Sequence, residues 1–347
     1  MKACVLHHIG DLRYEDVSDP VLKPGEVLVR IRASGVCGSD IQRVWEKGTY
    51  SFPTIPGHEF AGEIIAAADD SSQHLIGQRA AVFPLLPCRR CVACQIGEYA
   101  QCSDYNYFGS RCDGGFAEYI CVPVWNLVIV PDTLSFEEAA MVEPAAVAVH
   151  ALRQAGITVG DSVAIFGAGP IGLMLASWAK LWGAGKAILV DIDPGKIAFA
   201  RSVGFEDIIN STEEDAAAGI MQLTNGRGAD VAVEGAGVSA TLEQCLKCTR
   251  MFGNVVAMGN PIREMTLSQK GYWELLRKQL KISGTWNTSY NGFPKNDWAL
   301  SVSYMSQGKL KVSPFITHRF PLQDCPAALK MMRDKTEFYN KVMIVMD

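Results

Sequence analysis

The glycine-rich segment at residues 167–172, GAGPIG, constrains the fold of this chain more than any other part of the sequence. It follows the apolar run 162–166 and opens the run 171–181, whose apolar residues recur with helical spacing. Glycines in a G-x-G-x-x-G pattern permit a tight strand-to-helix turn, a close approach to a pyrophosphate and close packing of helix on strand. The segment therefore predicts a doubly wound α/β unit with a parallel sheet that binds a dinucleotide.

The predicted cofactor is NAD, because the acidic Asp191 ends the next apolar run. It stands close to the spacing of about 20 residues at which a carboxylate meets the adenosine ribose. A carboxylate there repels the 2′-phosphate of NADP, although the nearby Lys196 leaves some use of NADP open. A plain strand–turn–helix connection is the alternative. The residues predicted to bind the cofactor are Gly167, Gly169, Pro170, Ile171, Gly172 and Asp191.

The rest of the chain predicts two further parts around this unit, which we place at residues 150–286. Residues 1–149 contain short strand-like runs, such as 27–33 and 116–122, broken by Gly and Pro, and they predict a β-rich, barrel-like domain. Residues 287–347 are too few for a core of their own and end in the strand-like run 341–346. We therefore expect this last segment to return to the first domain.

Composition narrows the class of protein. The 347 residues are 48% hydrophobic and 20% charged, with a formal net charge of −5, which is typical of a soluble globular protein. That charge argues against a nucleic-acid partner or an anionic membrane, which favour a basic face. Because the sequence contains neither a secretory signal nor a run long enough to span a membrane, we expect a cytoplasmic protein. In that reducing compartment the 11 cysteines suggest metal ligation before disulfides.

Four cysteines stand close together at spacings that suit one metal ion. Cys88, Cys91, Cys94 and Cys102 can surround a single Zn²⁺ as a tetrahedron of thiolates. A site closed by four protein ligands has no position for a substrate, so its predicted role is to brace a loop. Free or disulfide-bonded cysteines are one alternative, and an iron–sulfur cluster is another.

A second set of metal-ligating residue types is spread along the chain. Cys37, His58, Glu59 and Glu143 supply one thiolate, one imidazole and two carboxylates. Each is unremarkable alone, but the combination has the composition of an open zinc site that retains a position for substrate. We therefore expect a catalytic zinc beside the structural one.

Several motifs, in this order along the chain, resemble those of the zinc-containing medium-chain dehydrogenases. They are Cys37-Gly38-Ser39-Asp40, Gly57-His58-Glu59, the four cysteines, the DGGFAEY run at 113–119 and the glycine-rich segment. The resemblance covers essentially the whole chain. It implies a GroES-like catalytic domain and a Rossmann dinucleotide-binding domain, with the active site in the cleft between them.

Further motifs resemble one branch of that family, the polyol dehydrogenases. Glu143-Pro144 followed by Val147 and His150 is typical of this branch. The runs 84–88, 108–115 and 284–286, with Tyr290, Pro294 and Trp298, are most similar to the galactitol-1-phosphate dehydrogenases. The resemblance implies NAD-linked oxidation of galactitol 1-phosphate to tagatose 6-phosphate. The alternatives are sorbitol, xylitol, butanediol or threonine as substrate, and, outside enzymes, a zinc-braced protein that senses NAD.

The resemblance also implies roles for individual residues. Cys37 and His58 ligate the catalytic zinc, and the third ligand is Glu59 or Glu143. Asp40 holds the free ring nitrogen of His58. Ser39 takes the proton of the substrate hydroxyl, although a helix-capping role is the simpler alternative.

Substrate contacts and assembly are predicted less directly. Tyr50, Phe108 and Trp286 are candidates to line the substrate site, and Arg111, Arg43 and Lys47 are candidates to meet a phosphate. For each of them an ordinary core or surface role is the alternative. Residues 281–285 are a candidate edge strand through which copies pair, so a homodimer or homotetramer is expected.

Overall fold

The computed structural model describes residues 1–292 and 296–346, which form two compact units. Unit 1 comprises Met1–Pro144 and Ser289–Asp347, and unit 2 comprises Ala145–Thr288. Pro294, one of the residues behind the predicted resemblance, lies outside the described residues. Each helix in the described part of the chain is too short or too polar to cross a bilayer.

The first segment of unit 1 consists of short strands and short helices. The strands are β1 (Lys2–His8), β2 (Asp11–Asp16), β3 (Glu26–Val36), β4 (Glu59–Ala67), β5 (Arg79–Val82), β6 (Leu85–Leu86), β7 (Asn106–Tyr107), β8 (Tyr119–Pro123) and β9 (Leu127–Val130). The α-helices are α1 (Gly38–Gln42), α2 (Val92–Gln95) and α3 (Phe136–Ala140). A π-helical turn spans Arg43–Lys47, and 3₁₀ turns span Asp70–Leu75, Tyr99–Gln101 and Val124–Asn126.

Unit 2 alternates strands and helices. The chain divides into its two units within α4 (Val142–Ala155). The strands that follow are β10 (Ser162–Phe166), β11 (Lys186–Asp191), β12 (Ile208–Asn210), β13 (Ala229–Glu234), β14 (Thr249–Ala257) and β15 (Lys281–Gly284). The helices between them are α5 (Pro170–Leu181), α6 (Pro194–Ser202), α7 (Ala216–Leu223), α8 (Ser239–Cys248) and α9 (Gln269–Lys278).

The last segment belongs to unit 1. Its elements are α10 (Asp297–Ser306), a 3₁₀ turn (Ser313–Phe315), β16 (Ile316–Pro321), a second 3₁₀ turn (Leu322–Asp324), α11 (Cys325–Asp334) and β17 (Lys341–Val345).

The sheet of unit 2 is parallel throughout, in the order β12-β11-β10-β13-β14-β15. Helices α5 and α8 pack against its central strands, which explains why every residue of β10 and β13 is buried and why apolar residues fill successive positions in β10. The doubly wound parallel sheet predicted from the glycine-rich segment is confirmed. Its terminal strand, β15, is largely exposed.

The main sheet of unit 1 has the order β16-β17-β3-β4-β5-β9, with β8 paired to β3. Burial alternates along the first part of β3, since one face of the strand packs on the core. Strand β17 pairs antiparallel with β3, so the C-terminal segment is built into this sheet. The register places Gly35 of β3 between Glu59 of β4 and Met343 of β17.

One predicted strand differs from the structure. The run 116–122 was expected to be extended throughout, but β8 begins only at Tyr119. The backbone N–H groups of Gly115 and Phe116 instead donate to the carbonyls of Gly57 and Pro56. This backbone is therefore held against the loop that carries His58.

Candidate active site and cofactor loop

The structure brings Cys37, His58 and Glu59 together in unit 1. Their ligand atoms, Sγ, a ring nitrogen and a carboxylate oxygen, all lie within 4.8 Å of one another. Cys37 follows the end of β3, and Glu59 begins the antiparallel neighbour β4, where it pairs with Gly35, two residues before Cys37. A side chain at Gly35 would fill the space that the Glu59 carboxylate occupies.

This donor set fits Zn²⁺. Sulfur, nitrogen and oxygen are the three donor types that zinc takes from proteins, and three protein ligands leave one position for water or substrate. The sequence left open whether Glu59 or Glu143 is the third ligand. The Glu59 carboxylate lies in the set, and Glu143 lies outside it.

Glu143 is nevertheless buried beside the same residues. Its carboxylate accepts a long hydrogen bond of 3.5 Å from the Tyr107 hydroxyl. Burial and the neighbouring Glu59 carboxylate raise the pKa of Glu143 to about 7, against the opposing effect of His58. Glu143 can therefore exchange a proton near neutral pH.

Asp40 organises the site from behind His58. Its Oδ1 lies 3.1 Å from His58 Nδ1, and its Oδ2 accepts a 3.0 Å hydrogen bond from the backbone N–H of Cys37. Burial opposes ionisation of Asp40, but the His58 ring and the Arg43 guanidinium outweigh it and bring the pKa to about 2. An ionised Asp40 can accept a hydrogen bond from Nδ1–H of His58, which would leave Nε2 free to bind a metal.

Lys341 is a site residue that the sequence reasoning missed. It begins β17, and its Nζ lies 2.5 Å from Glu59 Oε2 and 3.3 Å from the carbonyl oxygen of Val36. The side chain is only 3% exposed. Burial alone would lower the pKa of Lys341, but the Glu59 carboxylate more than offsets it and the pKa is raised. The sequence signal for this residue was a lysine at the start of the otherwise apolar run 341–346. The sequence does not identify Glu59 as the residue with which it pairs.

Arg43 was expected to be a candidate for phosphate binding, and the structure places it within the network around His58. Its Nη1 donates to Ser39 Oγ and to Asp40 Oδ1, both at 3.0 Å. The guanidinium therefore fixes the Ser39 hydroxyl beside the metal-ligand set. Lys47, a second phosphate candidate, is exposed at the end of the π-helical turn.

The four cysteines form a separate group in unit 1. The sulfur atoms of Cys88, Cys91, Cys94 and Cys102 lie within 4.8 Å of one another, which suits a tetrahedral thiolate site for Zn²⁺. Backbone N–H groups directed at its sulfur lower the pKa of Cys91 to about 6. Burial raises the pKa of Cys94 to about 12. With four protein donors, this group would hold a metal without leaving a coordination position open.

The glycine-rich segment joins β10 to α5 in unit 2. Gly167 has a φ of +116°, which favours glycine, and a Cβ at Gly172 would overlap the carbonyl oxygen of Gly167. A Cβ at Gly169 would meet nothing within 4 Å, so the backbone is open to a ligand there. Pro170 and Ile171 form the first turn of α5, whose free N–H groups suit a pyrophosphate. These features fit the dinucleotide predicted from the sequence.

Asp191 ends β11 next to this loop. Its Oδ2 accepts from the backbone N–H of Ala168 at 2.7 Å, and its Oδ1 accepts from the N–H groups of Ile192 and Asp193. Lys196 Nζ lies 3.7 Å from Oδ2. The carboxylate thus ties the end of β11 to the glycine-rich loop.

The remaining substrate candidates occupy different surroundings. Phe108 is 5% exposed and packs edge-to-face on Phe60 in the core of unit 1. Trp286 is 56% exposed in unit 2. Tyr50 is 72% exposed, and its ring lies under the guanidinium of Arg111.

Known proteins match both units. Residues 23–132 match the alcohol dehydrogenase GroES-like domain, and residues 170–305 match the zinc-binding dehydrogenase domain. Sorbitol dehydrogenase of Bacillus subtilis is 34% identical over 100% of this chain and 96% of its own length. Galactitol 1-phosphate 5-dehydrogenase of Escherichia coli is 33% identical over 95% of this chain and 96% of its own length.

A solved structure agrees with these matches. The crystal structure of galactitol-1-phosphate dehydrogenase from Escherichia coli superimposes with a TM-score of 0.92 at 33% identity, covering 100% of both chains. The predicted GroES-like and Rossmann folds and the predicted resemblance are confirmed. With its cysteine group and its Cys37–His58–Glu59 set, this chain belongs to the zinc-binding dehydrogenases, as an oxidoreductase of the alcohol and polyol dehydrogenase type.

Proposed function

We propose that this enzyme oxidises a secondary alcohol of a polyol phosphate with NAD, converting galactitol 1-phosphate to tagatose 6-phosphate. The carbinol loses a hydride to the nicotinamide and a proton to the protein, and the products are the ketone and NADH. The observation that carries this proposal is the three-donor set of Cys37, His58 and Glu59, which leaves a metal coordination position free for an alcohol.

The metal and the cofactor supply two parts of this chemistry. Zinc held by these residues supplies a Lewis acid that lowers the pKa of an alcohol, and NAD supplies the hydride acceptor. The protein's part is to hold ligands, charges and a proton acceptor in place. Asp40 fixes the His58 ring, and Lys341 neutralises Glu59 when that carboxylate is turned toward it.

Ser39 is the proposed acceptor of the substrate proton. Its hydroxyl oxygen already accepts one hydrogen bond from Arg43, which leaves a second lone pair for the proton of the alcohol. The positive charge of Arg43 also favours any negative charge that develops at Ser39. Ser39 would then pass its own hydroxyl proton onward toward solvent.

Replacing Ser39 by alanine tests this role. General acid–base groups contribute about 10²- to 10⁴-fold, so we expect Ser39→Ala to lower kcat by that order while zinc content stays unchanged. Ser71→Ala, at an exposed position, is the matched control. Unchanged turnover in Ser39→Ala would reject the relay.

The substrate is tested by recording NADH formation in zinc-replete buffer. Galactitol 1-phosphate is compared with galactitol, sorbitol, xylitol, 2,3-butanediol and threonine. The similarity to the galactitol 1-phosphate enzyme supports the phosphate ester, whereas the similarity to sorbitol dehydrogenase supports a free polyol. Turnover of unphosphorylated polyols alone would retain the zinc dehydrogenase and remove the phosphate from the proposal.

We propose that the cofactor is NAD rather than NADP, because Asp191 is a buried carboxylate at the strand end that faces a ribose in this fold. Turnover with NAD should exceed turnover with NADP. Asp191→Ala should reduce the difference in turnover between NAD and NADP, because the carboxylate that repels the 2′-phosphate is removed. A clear preference of the unmodified enzyme for NADP would contradict this role of Asp191.

We also propose that copies of the chain pair through β15. This strand ends the sheet of unit 2, and its Ile282 is 44% exposed, as in an edge strand that a second copy covers. Light scattering at assay concentration should give at least a dimeric mass. Ile282→Asp should lower that mass, and a monomeric mass for the unmodified protein would overturn the idea.

A further inference from the structure

The turn that follows β7 carries a guanidinium that lies over two aromatic rings. The Cζ atom of Arg111 lies 3.9 Å from the ring centroid of Tyr50 and 4.5 Å from that of Tyr105. Across residues 1–292 and 296–346, no carboxylate forms an ion pair with Arg111. We call this arrangement, Tyr50–Arg111–Tyr105, the arginine clamp.

The clamp leaves the donors of the guanidinium available. Rings that stack on the faces of a guanidinium do not use its N–H groups, which point outward in its plane. Five such donors in a rigid fork match the oxygens of a phosphate, to which they can donate in pairs. Tyr50 is 72% exposed, so one side of the clamp is open to solvent.

The backbone fixes the clamp relative to the metal-ligand set. The N–H of Arg111 donates to the carbonyl of Tyr107 at 2.9 Å, and the N–H of Tyr50 donates to the carbonyl of Ser110 at 3.0 Å. Gly109, in the same turn, has a φ of +79°, and a Cβ there would overlap the backbone of Gly57. The turn is thus packed against the residue that precedes His58.

Aromatic contacts join the clamp to the site by short steps. The Tyr105 ring lies 6.5 Å from the Tyr107 ring, which lies 5.8 Å from the His58 ring. The Tyr107 hydroxyl in turn donates to Glu143. Tyr107 therefore lies against both the clamp and the metal-ligand set.

We propose that the arginine clamp binds the phosphate monoester of the substrate and thereby sets the preference for phosphorylated polyols. The proposal rests on the proposed function, since it assumes a polyol substrate at the metal-ligand set. It distinguishes Arg111 from Arg43, whose guanidinium is engaged by the buried Asp40. The ligand chemistry is a phosphate dianion, carried by a polyol phosphate or free in solution.

The first test compares galactitol 1-phosphate with galactitol in the zinc-loaded enzyme. Arg111→Met should lower kcat/KM for the phosphate ester roughly 10- to 100-fold, mainly through KM, since hydrogen bonds to charged groups are of this strength. Turnover of galactitol should stay unchanged. Arg111→Lys should give a kcat/KM for the phosphate ester between those of the unmodified enzyme and Arg111→Met. Lysine keeps the positive charge but loses the paired N–H donors and the stacking on the rings.

Two further variants complete the design. Tyr50→Leu, at an exposed position, removes one face of the clamp and should raise KM for the phosphate ester a few-fold. Arg277→Met is the matched control, because Arg277 also stacks on an aromatic ring, Trp273 at 4.4 Å, but belongs to unit 2. It should leave both substrates unaffected.

The second test measures binding without turnover. Calorimetric titration with inorganic phosphate should detect binding to the unmodified protein and to Arg277→Met, and weaker binding to Arg111→Met. If the unmodified enzyme prefers the phosphate ester and Arg111→Met keeps that preference, the clamp is wrong and the proposed function stands. If the unmodified enzyme neither prefers the ester nor binds phosphate, both are overturned.

Discussion

The two metal-ligand groups of unit 1 differ in how they are built. The four cysteines between Cys88 and Cys102 are close in sequence, identical in chemistry and supported mainly by backbone N–H groups. The set of Cys37, His58 and Glu59 combines three kinds of donor from separate elements. It is surrounded by charged side chains, among them Asp40 and Lys341.

This difference suits the closed group to bracing a loop and the open set to catalysis. A group closed by four thiolates has its coordination satisfied, and a local chain segment is enough to form it. An open set must be held by other residues, because its own ligands do not fill the metal's coordination. The buried charges around Glu59 and His58 supply that support.

Removal of the imidazole donor should have the largest effect. We expect His58→Asn to lose one zinc per chain and to lower activity more than about 100-fold. Removing only the hydrogen-bond partner of a metal ligand already lowers activity by up to about 100-fold, and removing the ligand itself should cost more. Elemental analysis and NADH formation measure the two effects. His318→Asn, at a histidine that stacks on Phe320, should retain both zinc ions and activity. Retention of two zinc ions in His58→Asn would contradict the assignment of the open set.

Lys341→Met should destabilise the protein next most strongly. Breaking a buried ion pair leaves Glu59 without its partner, which typically costs about 3–5 kcal/mol of unfolding free energy. The loss should be larger after chelation than in zinc-replete buffer, because zinc can compensate the Glu59 charge. Denaturant unfolding under both conditions measures it. Lys247→Met, which breaks the exposed pair with Asp215, should cost about 1 kcal/mol or less. An equal loss of unfolding free energy with and without zinc would show that the role of Lys341 is independent of the metal site.

Asp40→Asn should weaken only the open set. Loss of a partner to a metal-bound histidine typically lowers metal affinity about 10- to 100-fold. Competition with a chelator should find one weakened zinc site and one unchanged site. Glu138→Gln, which caps α3 away from both groups, is the control. Two equally weakened sites would mean that the two groups are not independent.

Cys94→Ser should have the smallest effect on catalysis. The variant should lose one zinc and melt roughly 5–15 °C lower, while kcat of the folded enzyme stays within about two-fold. Thermal melting and turnover at low temperature give the two values. Cys121→Ser, at a half-buried cysteine outside both groups, should change neither. Loss of turnover in folded Cys94→Ser would assign the cysteine group a part in catalysis.

The sequence predicted well those features that depend on short spacings. The glycine-rich segment lies between β10 and α5 as expected, and the four cysteines converge in one group. The run 116–122 was less well predicted, because its first residues bond to the loop 55–57 and form only an isolated bridge to β1, outside a continuous ladder. Backbone partners that are distant in sequence leave no local pattern.

The amino-acid sequence by itself determined the fold class, the cofactor loop and the closed cysteine group, because each depends on residues only a few positions apart. The tertiary structure alone decided the partners of the open set. Lys341 reaches Glu59 across 282 residues because β17 and β4 flank β3 in the sheet. Arg111 acquires two stacked tyrosines because the turn after β7 packs against Gly57. Strand order and loop packing place these side chains together, and neither can be predicted from the spacing of residues that are close in sequence.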